Sequence, residues 1–268
     1  MSSIPRILHY PGSKWSMTDW IINNMPRHAT YLEPFFGSGA VFFNKSPSLL
    51  ETINDLDGDV INLFQVIRDR PQELAHLVHW TPYSREEYYI SYESVADELE
   101  RARRFLVRCW MARGVKTSDR TGWRHIIDHN GPRIVRQWHE MPEKILSVTG
   151  RLKGVQLEQQ PAVKLIERHN RDDVLIYADP PYILSTRNNR MYRHEMTEDD
   201  HIELLEALNA HSGPVLLSGY DHPMYNDRLK YWKRETRTAQ AEGGRDRTEV
   251  LWINPVAVSQ SGQLVLNL

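Results

Sequence analysis

The hydrophobic positions of the chain fall into two kinds of segment: short apolar runs that end in acidic or glycine-rich turns, and longer stretches with apolar residues three and four apart. The first pattern marks buried strands and the second amphipathic helices. SKWSMTDWIINNM reads as a helix with Ser16 as N-cap, Asp19 three residues on, and Trp20, Ile21 and Met25 on the apolar face. TYLEPFFGSGAVFF then predicts a short strand around Tyr31 to Pro34, a Gly-Ser-Gly turn and the start of a helix. TINDLDGDVINLFQVI repeats the plan: strand to Asn54, acidic turn, and a helix with Val60, Leu63, Phe64 and Ile67 at helical spacing.

From about Arg70 to Gln160 the segments are helical, charged and Trp-rich, with no convincing strand. The βα rhythm returns at DVLIYADPPY and continues through TEDDHIELLEALNA, where Thr197 and Asp200 form a capping-box pattern ahead of Ile202, Leu205 and Leu208. PVLLSGY, a short helix after Asp221 and a final strand TEVLWINP complete it. This order predicts an α/β fold, a doubly wound sheet with helices on both faces, interrupted by a mainly helical insertion. Residues 1–69 and 160–268 form one domain on this reading, and 70–159 the insertion. Ligands of such sheets sit beyond the carboxyl ends of the strands, which is where the unusual motifs fall.

With 268 residues, 40% of them hydrophobic and 25% charged, the chain has the composition of an ordinary globular protein with a substantial core. No run approaches the 18 apolar residues of a membrane span, and MSSIPRILHYPGSK lacks a signal-peptide core, so a cytoplasmic protein is expected. The single cysteine, Cys109, excludes a disulfide framework and a multi-cysteine zinc site, and reads as a buried free thiol. His125 and His129 have helical spacing but no Glu-x-x-His context, so no metal is expected. Trp110, Trp123 and Trp138 read as core or interface residues. The net charge of −2 hides an asymmetry: Arg101 to Lys153 holds 13 Lys/Arg against 4 Asp/Glu, a potential basic face for nucleic acid.

Three motifs carry chemistry. In EPFFGSGA, Gly37 and Gly39 allow a tight turn and close approach of a ligand at a helix start. It is neither a full G-x-G-x-x-G nor a P-loop, so a nicotinamide or triphosphate site is not supported. Asp55 of NDLD ends the next strand, where a carboxylate accepts from ribose hydroxyls; Asp57 and Asp59 read as solvent-facing or helix-start charges. In ADPPY, the two prolines fix the backbone so that Asp179 and Tyr182 are presented rigidly at a strand end. A carboxylate and a carbonyl make a pair of acceptors for an amine, and Tyr182 offers a ring for stacking. These residues alone leave open several amine-bearing rings and side chains.

YPGSK, EPFFGSGA, NDLD and DPPY, in that order and with a basic insertion before the last, resemble the Dam-like (alpha-class) DNA adenine methyltransferases. The resemblance spans nearly the whole chain, including SGY and EVLWINP. It implies a Rossmann-like S-adenosylmethionine-dependent methyltransferase fold in which 70–159 is a helical target-recognition domain. The implied reaction moves a methyl group from S-adenosylmethionine to the N6 amine of a flipped adenine in double-stranded DNA, leaving S-adenosylhomocysteine. The amine attacks directly, with no metal, no obligate protein partner and no covalent enzyme intermediate. A nucleoid-associated enzyme of restriction-modification or phage origin fits this reading.

By the same resemblance, Tyr10, Lys14, Glu33, Phe35, Gly37, Gly39, Asp55 and Asp179 bind the cofactor, and Asp179, Pro180, Pro181 and Tyr182 are catalytic. Many relatives have Trp where this chain has Tyr10, which preserves a ring. Arg113, Lys116, Arg120, Arg124, Arg133 and Arg136 are candidate DNA contacts. The Asn-Gly-Phe/Tyr-rich hairpin of GATC-methylating enzymes is not evident between Cys109 and Gly131, so GATC specificity is not implied. The alternatives are an amine methyltransferase acting on cytosine N4, RNA or protein glutamine, and a catalytically silent DNA-binding relative.

Overall fold

The computed structural model describes residues 4–128, 133–187, 189–240 and 246–265. Five strands run parallel: β1 (Thr30–Glu33), β2 (Leu50–Asn54), β3 (Val155–Glu158), β4 (Val174–Ala178) and β5 (Val215–Tyr220). An antiparallel pair, β6 (Lys233–Gln240) and β7 (Asp246–Ile253), extends the sheet past β5 in the order β3-β2-β1-β4-β5-β7-β6. This is the expected α/β architecture, consistent with an S-adenosylmethionine-dependent methyltransferase fold.

Successive strand residues enter opposite cores, as the period of two requires. Tyr31, Leu175, Leu216 and Leu251 join one buried cluster, and their neighbours Leu32, Ile176, Leu217 and Trp252 the other. Burial on both faces explains why VLIYA and VLLSGY read as continuous apolar runs. The second face is covered by α9 (Ala162–Arg168), α10 (Glu198–Ala210) and α11 (Pro223–Arg228), through residues such as Leu165, Leu205 and Tyr225. The predicted capping box of α10 is present: Thr197 Oγ1 accepts from Asp200 N, and the Asp200 carboxylate accepts from Thr197 N.

The first face is covered by α3 (Gly58–Asp69) and by α4 (Pro71–His79), α6 (Glu98–Met111) and α8 (Met141–Leu152). Leu74, Phe105, Leu106 and Val148 of these helices share one core with Phe64 and Ile67 of α3. Trp110 and Trp138 are buried and donate to Ile7 O and Thr81 O, while Trp123 is half-buried beneath the Arg85 guanidinium.

Three expectations need correction, and one strand was not anticipated. Helix α1 (Thr18–Asn23) is entered from Met17 with no side-chain cap, so Ser16 is not its N-cap. Residues 70–160 do contain a strand, β3, whose VQLE sequence buries only Val155 and so lacks an apolar run. Residues 124–128 form no helix, and His125 stacks on Trp123 instead; His129 lies outside the described residues. The strand β6 was not anticipated, because KRETRTAQ carries edge-strand polarity without a buried face of its own. Among the described residues no helix is long and apolar enough to cross a membrane.

Candidate active site

The carboxyl ends of β1, β2 and β4 open on a cavity of about 250 Å³. Two backbone positions shape its floor: Gly37 and Gly39 have φ of +50° and +66°, the left-handed region that side chains disfavour. A Cβ on Gly37 would lie 3.0 Å from the Tyr10 ring, so the glycine also lets that ring close over the loop. The loop is held from β2. Asn54 Nδ2 donates to Pro34 O at 2.9 Å, and Gly37 N donates to Asp55 Oδ2 at 2.8 Å. Asp57 N donates to the other Asp55 oxygen at 2.9 Å.

Burial pushes the Asp55 carboxyl up to about 7, against the lowering effect of these backbone donors. Glu33, 2% exposed at the end of β1, accepts from Tyr31 OH at 2.7 Å, and burial pushes its carboxyl up to about 8. Asp57 and Asp59 start α3 as expected, with Asp57 as N-cap, but neither faces solvent. Arg193 pairs with both, and Arg101 and Arg108 pair with Asp59.

Strand β4 runs into Asp179-Pro180-Pro181-Tyr182, of which Asp179 and Pro181 line the same cavity. Lys14 Nζ lies 3.0 Å from Asp179 Oδ1, donates to Gly12 O at 2.6 Å, and sits 4.7 Å from the centroid of the Tyr182 ring. Burial raises the Asp179 carboxyl to about 6, with Lys14 opposing it and Glu249 adding to it. Burial alone would lower Lys14, but Asp179 and Glu249 hold it above its usual value. Tyr182 is buried, donates from its hydroxyl to Glu249 Oε2 at 2.6 Å, and meets Tyr220 edge to face.

Of the sequence-predicted residues, Tyr10, Lys14, Glu33, Phe35, Gly37, Asp55, Asp179 and Pro181 line this cavity. Gly39 shapes the turn from beneath, where a Cβ would lie 2.4 Å from the Phe36 ring. Pro180 and Tyr182 are buried behind Asp179. Sequence reasoning missed the loop after the motif, which carries Tyr192 into the cavity with its hydroxyl against Gly12. Arg187 and Glu195 form a buried pair that folds this loop: Arg187 Nε donates to Tyr182 O, and Glu195 accepts from the amides of Met191 and Tyr192. It also missed Glu249, although a carboxylate ahead of the apolar run VLWI was a legible signal.

The candidate DNA contacts lie on two segments. An antiparallel bridge between Ala112 and Trp123, with Arg113 N donating to Gly122 O, closes a loop that bears Lys116 and Arg120. Thr117 N donates to Met191 O at 2.8 Å, so this loop is tied to the one that carries Tyr192. Lys116 pairs with Asp119, and Arg120 lies over the rings of Tyr89 and Tyr92. Arg124 follows the bridge, Arg133 precedes α7 (Ile134–His139), and Arg136 within it pairs with Glu140. Among the described residues no cluster of three or more His, Cys, Asp or Glu is placed to hold a metal ion.

A family model described as D12 class N6 adenine-specific DNA methyltransferase matches residues 10–241. The chain is 27% identical to the type II methyltransferase M1.LlaDCHI of Lactococcus lactis subsp. cremoris, over 82% of this chain and 83% of that protein. It is 24% identical to the DNA adenine methylase of Escherichia coli K12, over 91% of each. A shorter match, 30% identical, links 37% of this chain to 14% of the DNA N-6-adenine-methyltransferase of Escherichia phage P1.

Proposed function

The chain belongs to the D12 class of N6 adenine-specific DNA methyltransferases, and from that premise we propose that the cavity holds S-adenosylmethionine and that Asp179 receives the target amine beside it. The observation that carries this is the Lys14–Asp179 pair at the cavity wall, which gives an otherwise desolvated carboxylate a fixed cation.

The residues suit the cofactor. Three acidic groups, Glu33, Asp55 and Asp179, face one cavity; burial favours their neutral forms in the ligand-free protein, and a ligand carrying a sulfonium and an ammonium favours their ionised ones, while the left-handed Gly37 keeps the floor free of a Cβ. When bound, S-adenosylmethionine supplies an electrophilic methyl group. Asp55 is placed at the strand end from which an acid accepts ribose hydroxyls. Tyr10 and Phe35 supply apolar walls, Lys14 and Glu33 polar ones, and Gly39 sets the turn beneath them.

The target amine is inaccessible while adenine is stacked and paired, so the base leaves the duplex. Asp179 and the Pro180 carbonyl accept its two N–H bonds, Pro181 stiffens the turn, and the carboxylate holds the proton that the amine loses. Tyr182 backs this acceptor with an aromatic ring. Positioning and electrostatics supply the acceleration. Cys109 is buried, with its thiol pushed up to about 12, which supports a route without an enzyme nucleophile.

Residues 70–159 serve as the target-recognition unit on this reading, with Arg113, Lys116, Arg120, Arg124, Arg133 and Arg136 as its phosphate or base contacts. Action on DNA supports a cytoplasmic, nucleoid-associated location.

The test is methyl transfer from labelled S-adenosylmethionine to undermethylated DNA, with modified adenines mapped by single-molecule sequencing after expression in a methylation-deficient host. Asp179→Ala is expected to abolish transfer while DNA binding largely survives. Label on RNA or protein but none on DNA, or near-normal turnover by Asp179→Ala, overturns the reading.

A further inference from the structure

Glu249 is a carboxylate set among buried apolar residues of the sheet. It lies on β7 directly opposite Tyr220 of β5, is 8% exposed, and is followed by the fully packed Val250, Leu251, Trp252 and Ile253. A buried carboxylate needs a donor. Its donor is the phenol of Tyr182 at 2.6 Å.

Tyr182 follows Asp179 by three residues, and one cation joins them: Lys14 Nζ lies 3.0 Å from Asp179 Oδ1 and 4.7 Å from the centroid of the Tyr182 ring, so the phenol is tethered beside one carboxylate while it donates to another. The choice of acceptor has a consequence. A phenol that donated to Asp179 would occupy the oxygen needed by an incoming amine, whereas one that donates to Glu249 leaves that oxygen to Lys14 and the substrate. The second arrangement is the one present: the phenol donates to Glu249 Oε2 at 2.6 Å, with Lys14 over the Tyr182 ring and Tyr220, paired in register with Glu249, against it at a centroid distance of 4.5 Å.

The geometry points to Glu249 as a positioning residue that takes the Tyr182 phenol proton and thereby keeps the Asp179 carboxylate open to the target amine. This rests on the reading of Asp179 as the amine acceptor. Glu249 touches neither base nor cofactor and acts through Tyr182.

A purely structural role for the Tyr182–Glu249 bond and this role differ in one double variant. With tritiated S-adenosylmethionine and undermethylated genomic DNA as probes, Glu249→Ala is expected to lower kcat about 10–100-fold, the range of a lost hydrogen bond to a charged group. Affinity for S-adenosylhomocysteine by calorimetry is expected to stay within about 3-fold, because the lost interaction acts on the amine. Glu249→Gln, which retains an acceptor, is expected to recover most of the rate. Adding Tyr182→Phe to Glu249→Ala removes the competing donor and is expected to raise kcat about 10-fold above Glu249→Ala alone.

Wild-type kcat in Glu249→Ala, or a double variant no faster than Glu249→Ala, overturns the proposal. If wild-type protein methylates DNA and Asp179→Ala does not, such a result removes only the role of Glu249. If Asp179→Ala itself turns over normally, the reading of the whole site falls first.

Discussion

Lys14 Nζ and Asp179 Oδ1 are 3.0 Å apart, which joins the N-terminal YPGSK motif to the DPPY motif in one buried ion pair. The pair opposes the burial that raises Asp179 to about 6. A carboxylate that accepts from an amine works ionised, so activity is expected to fall as pH drops through about 6. Lys14→Met removes the opposing cation and raises Asp179 further. Its acidic limb should therefore move to higher pH, with turnover at pH 7 reduced by about 10-fold or more and partly recovered near pH 8.5. A pH–rate profile measures this, and an acidic limb that stays in place counts against the assigned role of Lys14.

Gly37→Ala tests the cofactor floor. The φ of +50° disfavours alanine by about 1–2 kcal/mol, and the new Cβ meets the Tyr10 ring at 3.0 Å. Weaker binding of S-adenosylhomocysteine by calorimetry, with a lower unfolding midpoint, is the expected outcome. Unchanged affinity would remove Gly37 from the site.

The buried acids give the ligand-free protein an unusual pH dependence. Glu33, Asp55 and Asp179 have native values of about 8, 7 and 6, above those of the unfolded chain. Between about pH 4 and 8 the native state thus holds protons that the unfolded state has released, and stability falls as pH rises through this window. Carboxylates held below their usual range, such as Asp59 and Glu195, act in the opposite sense at more acidic pH. Thermal unfolding from pH 5.5 to 8.5 should show declining midpoints, and Glu33→Gln should flatten the decline. Midpoints that climb steadily would refute it.

If the segment from Arg113 to Arg136 engages about five phosphates, the logarithm of DNA affinity should fall against the logarithm of salt with a slope of about −4 to −5. Replacing Arg113 and Arg124 by Ala together should reduce that slope by about 2 if each meets one phosphate. Filter binding across a salt series decides it, and a flat dependence rejects this face.

Much of the site was legible because its chemistry is written in short local rules. Glycines at left-handed positions, prolines after a strand, an acid at a strand end and the Thr197–Asp200 box each depend on a few neighbouring residues. The failures share a different cause. The strand β3 buries only Val155, and β6 is a charged edge, so neither shows the apolar pattern that reveals a central strand. Ser16 has the right residue type for a cap, but the helix begins after Met17.

By itself, then, the sequence determined the alternation of strands and helices and the placement of EPFFGSGA, NDLD and DPPY at strand ends, because period and turn chemistry are local properties. Tertiary structure alone decided that Tyr192 lines the cavity and that Arg193 clasps Asp57 and Asp59. It also decided that the Tyr182 proton goes to Glu249 on β7 rather than into solvent. Those pairings follow from sheet order and loop closure, and the displaced acidities follow from desolvation, which no residue acquires until the rest of the chain surrounds it.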